Sequence, residues 1–350
     1  MTKTKLQIPQ ISAKIRLRDV AEHAGVHAST VSRVLNPQTR GMVSKDVAER
    51  VTQTAEALGY SPDPIAYSLK TRRTLTIGVL IPDLTNPMFP PIIQSMEQTL
   101  GDAGYTAILT NTAKREEREQ VLLEKMIARQ VDGIVLATSH LDEHLLTICE
   151  SEQLPVVLVN RVANNKNTST VAADETHGIG LAVTHLIKKG HTRIAHIAGP
   201  QTLSTGYGRL QGFRDTMKNN KVDVDDELIV YCDAFGIDEG RRSLESLLNG
   251  GKQFTAVVAG NDMLAVGCYD ALKEFDINCP EQISVTGFND MLFVDKLSPP
   301  LTTVRIPLAE MGRQAANLLL QQITDPDYTP QKLLLPTQLI VRGSTAAPSN

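Results

Sequence analysis

The 350-residue sequence contains no tryptophan, and aromatic residues make up only 4% of it. That scarcity disfavours an all-β sandwich and points to layers packed by Leu, Ile, Val and Ala. No run of 18 apolar residues occurs, so a membrane-spanning helix is not expected. The stretch from Met1 to Lys14 is polar and lacks the apolar core of a secretory signal. Cys149, Cys232, Cys268 and Cys279 show neither CxxC spacing nor the pairing logic of a secreted framework. A reducing cytoplasm is the expected setting. Catalytic motifs are missing too: there is no G-x-S-x-G, no Walker A, no H-E-x-x-H and no G-x-G-x-x-G after a strand. Neither an enzymatic activity nor a cofactor is expected.

What is present is charge, unevenly placed. The net charge is −4, but residues 1–73 hold twelve Lys/Arg against six Asp/Glu, whereas residues 74–350 hold 23 against 33. A basic head on an acidic body suggests a polyanion-binding module attached to a larger domain. The length suits two or three domains, and with 41% apolar residues there is enough material for sizeable cores.

The head has a helical pattern. In LRDVAEHAGVHASTVSRVLN (17–36), Val20, Ala21 and Ala24 fall at helical spacing and Gly25 stops the first helix. A second helix follows with Val31, Val34 and Leu35 inward and Ala28, Ser29, Ser32 and Arg33 outward. Two short helices joined by a Gly-containing turn make a helix-turn-helix, whose second helix enters the major groove. A third helix is predicted from the cap Ser44, with Val43 as a staple, through the stripe Val47, Val51, Ala55 and Leu58 to Gly59. Two prolines, the segment Ile65–Leu69 and the cluster Lys70, Arg72 and Arg73 then describe a hinge.

With these residues in view, 16–345 resembles the lac repressor/galactose repressor family, most specifically through DVAEHAGVHASTVSRVLN. The resemblance implies that Ala28, Ser29 and Arg33 read base edges, that Thr30, Ser32, Asn36 and Ser44 touch phosphates, and that Leu17 also belongs to the DNA-binding set. It further implies that 65–69 folds as a hinge helix on DNA, with Leu69 wedged into the minor groove. Arg16 and His27 stand where such proteins usually place Ser or Thr, so weaker helix caps are expected, at about 1 kcal/mol each.

From Leu75 the pattern becomes βαβ. Candidate strands are 75–81, 105–110, 133–137, 155–160, 170–172, 194–198, 228–231, 256–259 and 284–288, with helical stretches between most of them. Such alternation predicts parallel sheets covered on both faces, with ligands at the carboxyl ends of the strands. The resemblance implies an all-α helix-turn-helix head and an α/β, periplasmic-binding-protein-like core of two Rossmann-like lobes. The expected division is an extension at 1–15, the head at 16–61, a hinge at 62–74, a core at 75–343 and a tail at 344–350. Lobe 1 would comprise about 75–172 and 304–333, and lobe 2 about 173–303 and 334–343.

Polar residues gather at the strand ends. Asn86 and Phe89 follow the first strand, Thr138 and Ser139 the third, and Asn160 and Arg161 the fourth. Thr205, Arg209, Phe235, Asn261 and Asn289 occupy later loops, and family members grip effectors at such positions. Each taken singly could equally be a turn or a cap, and Asp262 reads more readily as a cap than as a ligand contact. As a set they suggest one interlobe cleft. The family often has Asp where this chain has Asn160 and Asn289; losing those charges would leave Arg161 and Arg209 less fully compensated and favour an anionic sugar acid, unless Asp290 turns inward. His140 and His144 read as a solvated pair, and the acidic run at 223–227 as a surface loop, rather than as metal sites.

The expected protein is a homodimeric regulator, in the first instance a repressor, on a near-palindromic double-stranded operator, with a small metabolite controlling its affinity. An activator or a phosphoprotein-sensing regulator of the same family is the alternative. Residues 343–350 carry no apolar heptads, so a dimer rather than a tetramer is expected.

Overall fold

A computed structural model describes residues 15–35, 39–60, 68, 71, 73–113, 115–137, 144–163 and 167–349. It divides into two compact units, Met1–Thr74 and Leu75–Asn350. In the first, α1 (Leu17–Ala24), α2 (Ala28–Leu35) and α3 (Lys45–Ala57) pack around a small core. Val20, Val31 and Val51 are its fully buried centre, with Ala21, Ala24, Val34, Ala48 and Ala55 around them. The buried stripe of α3 thus runs through Ala48 rather than Val47, which is half-buried with Leu58. Gly25 ends α1 at φ 63°, a left-handed conformation that glycine adopts without strain.

The expectation of a weak cap is corrected at His27. The His27 ring accepts from the Ser29 backbone N–H at 3.2 Å through Nδ1, so the imidazole does the work of a cap hydroxyl. At α1 the Arg16 side chain makes no cap bond, but the Asp19 carboxylate accepts from the Arg16 N–H at 2.7 Å. Ser44 holds the cap position of α3 without a side-chain cap bond.

The second unit holds two six-stranded sheets. The first comprises β1 (Thr76–Ile81), β2 (Thr106–Asn111), β3 (Gly133–Leu136), β4 (Val156–Val159), β5 (Ser169–Ala173) and β11 (Lys332–Leu335). Its strand order is β11-β5-β4-β3-β1-β2, all parallel. The second comprises β6 (Ile194–Ala198), β7 (Ile229–Tyr231), β8 (Ala256–Ala259), β9 (Ser284–Asn289), β10 (Thr302–Arg305) and β12 (Gln338–Ile340), ordered β12-β10-β9-β8-β6-β7. There only β12 runs antiparallel, against β10. The two sheets share one winding order, with the first strand between the second and third, and this switch point opens a crevice at the strands' carboxyl ends. The central strands β3, β4, β6 and β8 are wholly buried, as continuous apolar runs require between helices.

Helices α4 (Phe89–Asp102), α5 (Glu116–Ala128), α6 (His144–Ser151) and α11 (Leu308–Thr324) flank the first sheet. Helices α7 (Glu175–Lys188), α8 (Ser204–Asn219), α9 (Ile237–Asn249) and α10 (Asp262–Glu274) flank the second. The chain passes between sheets after β5, after β10 and after β11. These crossings fall at 174, 306–307 and 336–337, slightly beyond the expected 172, 303 and 334. β10 therefore lies whole in lobe 2 and β11 whole in lobe 1.

The expected tail is docked. Ser344 is fully buried; its carbonyl accepts from Val285 N–H at 2.9 Å and its hydroxyl donates to Val285 O at 2.6 Å. The buried His191 ring bonds Ala346 O and Thr255 Oγ1, each at 2.8 Å. Among the described residues no helix is long and apolar enough to cross a membrane.

Candidate effector cleft and DNA-reading face

In the head, the outer face of α2 presents Arg33, which is exposed and makes no side-chain hydrogen bond among the described residues. Ser29 and Ser44 are exposed, and Thr30 and Ser32 half-exposed. Ala28 and Leu17 turn partly inward against the head core. Ser29 is also tied to His27, its hydroxyl 2.8 Å from Nδ1. Asn36 and Leu69 lie outside the described residues.

In the second unit, one cavity of about 160 Å³ opens between the lobes. It brings together Asn86, Phe89, Asn160, Arg161, Thr205, Arg209, Phe235, Asn261 and Asn289. Of the eleven positions singled out by sequence, only Thr138 and Ser139 are not placed, since they lie outside the described residues. Asn160, directly after β4, and Asn289, the last residue of β9, have φ of 58° and 116°. Left-handed backbone suits Asn better than most residues, so these positions carry a conformational demand as well as a chemical one. Asn86 Oδ1 accepts from Met88 N–H at 3.1 Å, and Asn261 caps α10 by accepting from Leu264 N–H at 2.9 Å.

Arg209 is the most heavily held group. Its Nε donates to Glu175 Oε2 at 2.5 Å, one terminal nitrogen to Gly260 O at 2.6 Å and the other to Asn289 Oδ1 at 3.4 Å. Its guanidinium carbon lies 3.9 Å from the Phe288 ring centre and 5.5 Å from that of Phe235. The close packing of α7 on α8 makes this possible. A Cβ on Gly212 would meet Thr176 O at 2.4 Å, so only glycine lets the helices approach closely enough for the pair to form.

Arg161 is held differently. It is buried, donates to Asn160 O at 2.8 Å and leaves Nε without a hydrogen-bond partner. Burial and repulsion from Arg209 bring its pKa down to about 10, against the attraction of Glu175 and Glu119. Asn160 Oδ1 and Thr205 Oγ1 are likewise buried without partners. Buried polar groups are normally satisfied, so this concentration at one cleft marks a place for a polar molecule.

The expectation of less fully compensated arginines is corrected at Arg209. Glu175 pairs Arg209, and Asp83, Glu119 and Asp233 line the cavity. Asp290 supplies none of this charge, because it bonds Arg305 and Arg342 at 2.6 Å each. Asp262 is neither cap nor lining: fully buried, it accepts from Thr303 Oγ1 at 2.5 Å and Met291 N–H at 2.8 Å, and burial pushes its carboxyl up to about 7. Sequence reading missed Glu119 and Glu175. Glu119 shares the phase of buried Leu123 and Met126, a signal that could have placed it inward. Glu175 reads only as the acidic first turn of a helix.

Among the described residues no group of His, Cys, Asp and Glu could hold a metal ion. Asp225 and Asp226 of the acidic run pair instead with Arg193 and Arg214.

Comparison with known proteins agrees with this architecture. Residues 16–63 match the model of bacterial regulatory proteins of the lacI family, and residues 183–345 match that of a periplasmic binding protein-like domain. The chain is 34% identical over 336 residues to the ribose operon repressor of Halalkalibacterium halodurans, covering 95% of this chain and 98% of that one. It superposes on the lac repressor dimer bound to operator and the anti-inducer ONPF with a TM-score of 0.83 and 26% identity, covering 95% of this chain and all of the other. A LacI family transcriptional regulator from Enterococcus faecium with bound ribose matches with a TM-score of 0.70 and 28% identity, over 78% of this chain and all of the other. The chain belongs to the lacI family of bacterial regulatory proteins, transcription regulators that join a DNA-binding helix-turn-helix to a two-lobed α/β core.

Proposed function

We propose that the chain is a homodimeric repressor, without enzymatic activity, whose affinity for a near-palindromic operator is set by a small neutral sugar between the lobes. The observation that carries the ligand class is the pairing of the cavity-lining Arg209 with Glu175, behind the cavity wall, at 2.5 Å, together with Asp83, Glu119 and Asp233 in the lining. With its cationic charge answered, the cleft offers orphaned hydrogen-bonding groups to hydroxyls rather than an anchor for a carboxylate. Its volume of about 160 Å³ lies below the roughly 300–1,000 Å³ of pockets for drug-sized ligands and suits a monosaccharide. Phe89 and Phe235 would cover the apolar faces of the ring. Similarity to a ribose operon repressor and to a regulator holding ribose supports a pentose.

On DNA, Arg33 would read a base edge, ideally bidentate to guanine, helped by Ala28 and Ser29. Thr30, Ser32, Asn36 and Ser44 would hold phosphates, with Leu17 at the interface and Leu69 in the minor groove. Residues 16–61 would form the head and 62–74 the hinge. Calorimetric titration of the full-length chain with D-ribose and D-ribonate tests the ligand: ribose should bind more tightly, and tighter ribonate would refute the reading. Arg33→Ala should relax sequence preference, whereas Ser44→Ala should weaken binding to all operators alike. A uniform loss for Arg33→Ala would remove it from base reading.

A further inference from the structure

We infer that Glu175, which does not line the cavity, determines the charge class of ligand the cleft accepts by positioning and neutralising Arg209. The inference rests on the cleft being an effector site and adds the residue that decides its selectivity.

Glu175 is the first residue of α7 and directly follows the crossing from lobe 1 at Asp174. Asp174 caps that helix by accepting from His177 N–H at 2.9 Å, so the start of α7 is rigidly set. Its other neighbour is α8, brought close at Gly212 and at Gly208, where a Cβ would stand 3.2 Å from Glu175 Cβ. Between these two helices the carboxylate has one partner, Arg209 Nε, and its second oxygen is buried without any. The remaining contacts of Arg209 are neutral: Gly260 O, Asn289 Oδ1 and two aromatic faces. Among the described residues, Glu175 is thus the only carboxylate bonded to this cation. A buried guanidinium deprived of its carboxylate is strongly destabilised and attracts any anion that can reach it. The cavity wall presents Arg209 to such an anion, and Glu175 behind the wall removes the incentive.

The test compares D-ribose and D-ribonate binding to the full-length wild type, Glu175→Gln and Glu175→Asp by calorimetry. The wild type should favour ribose. Glu175→Gln should shift the ribose-to-ribonate affinity ratio at least tenfold toward ribonate, while Glu175→Asp, which keeps the charge, should retain the wild-type preference. If Glu175→Gln weakens both probes by the same factor, the residue is merely structural and the inference falls while the sugar reading stands. If the wild type binds neither probe, the pentose reading falls and the pair is judged without ligand. Thermal melts of Glu175→Gln, Arg209→Met and the double variant then decide. The single changes should each lower the melting temperature and the double change should recover most of the loss; simple additivity would overturn the inference.

Discussion

Each lobe contributes one arginine to the cleft, and the two are held in opposite ways. Arg209 of lobe 2 is saturated by a carboxylate, a carbonyl, an amide and two rings. Arg161 of lobe 1 has one backbone carbonyl and an orphaned Nε. Arg209 is therefore preorganised, whereas Arg161 keeps unspent hydrogen-bonding capacity for whatever enters. An arginine in a binding cleft reports nothing of ligand charge until its partners are known.

The sharpest way to break this contrast is to delete each arginine. Arg209→Ala would strand the buried Glu175 carboxylate and should destabilise the core by about 3–5 kcal/mol, read from denaturant unfolding. A loss under 1 kcal/mol would mean that the pair contributes little to holding lobe 2. Arg161→Ala should behave in reverse, with nearly unchanged stability but sugar binding weakened by about 1.5–3 kcal/mol in calorimetry. Equal destabilisation by both changes would erase the distinction between the lobes.

A second comparison lies inside lobe 2, between buried groups of opposite sign. His196 is fully buried, stacks on Phe213 at 4.7 Å and is brought down to about 4 by burial. Below pH 6.5 the unfolded imidazole takes a proton that the folded one refuses, so stability is lost as pH falls from about 6.5 to about 4, by up to ~3 kcal/mol. His185 and His191, shifted down by burial, act in the same direction. Asp262, raised to about 7, acts in the opposite direction: the folded carboxyl keeps its proton while the unfolded one ionises, and stability falls as pH rises from about 4 to 7. Asp262→Asn should therefore steepen the acid loss of the wild type, and His196→Asn should flatten it. Parallel unfolding curves across pH 4–7 for all three proteins would contradict these assignments.

The smallest effect belongs to the head. His27→Ala removes the acceptor for the Ser29 N–H and should cost about 1 kcal/mol in head stability, followed by amide exchange in α2. His27→Ser should restore it.

Much of this protein is determined by sequence alone. Val20, Ala21, Ala24, Val31 and Val34 announce the head because helical periodicity is a local property. The runs that became β1, β3, β4, β6 and β8 announce parallel sheets because buried strands must be apolar on both faces. Nine cleft residues were legible because a doubly wound topology sends strand ends to one crevice. The strands β10, β11 and β12 were not, being short pieces, two of them at sheet edges, set among prolines and polar residues. Tertiary structure decided the rest. The docking of 344–349 depends on His191, Val285 and Ser284, which lie far away in the chain. The charge of the cleft depends on Glu175 meeting Arg209 across a close helix contact, and on Asp290 being claimed by Arg305 and Arg342. No periodicity records such pairings, because they arise only when separate elements pack and the low-dielectric interior makes each buried charge answer to its nearest neighbour.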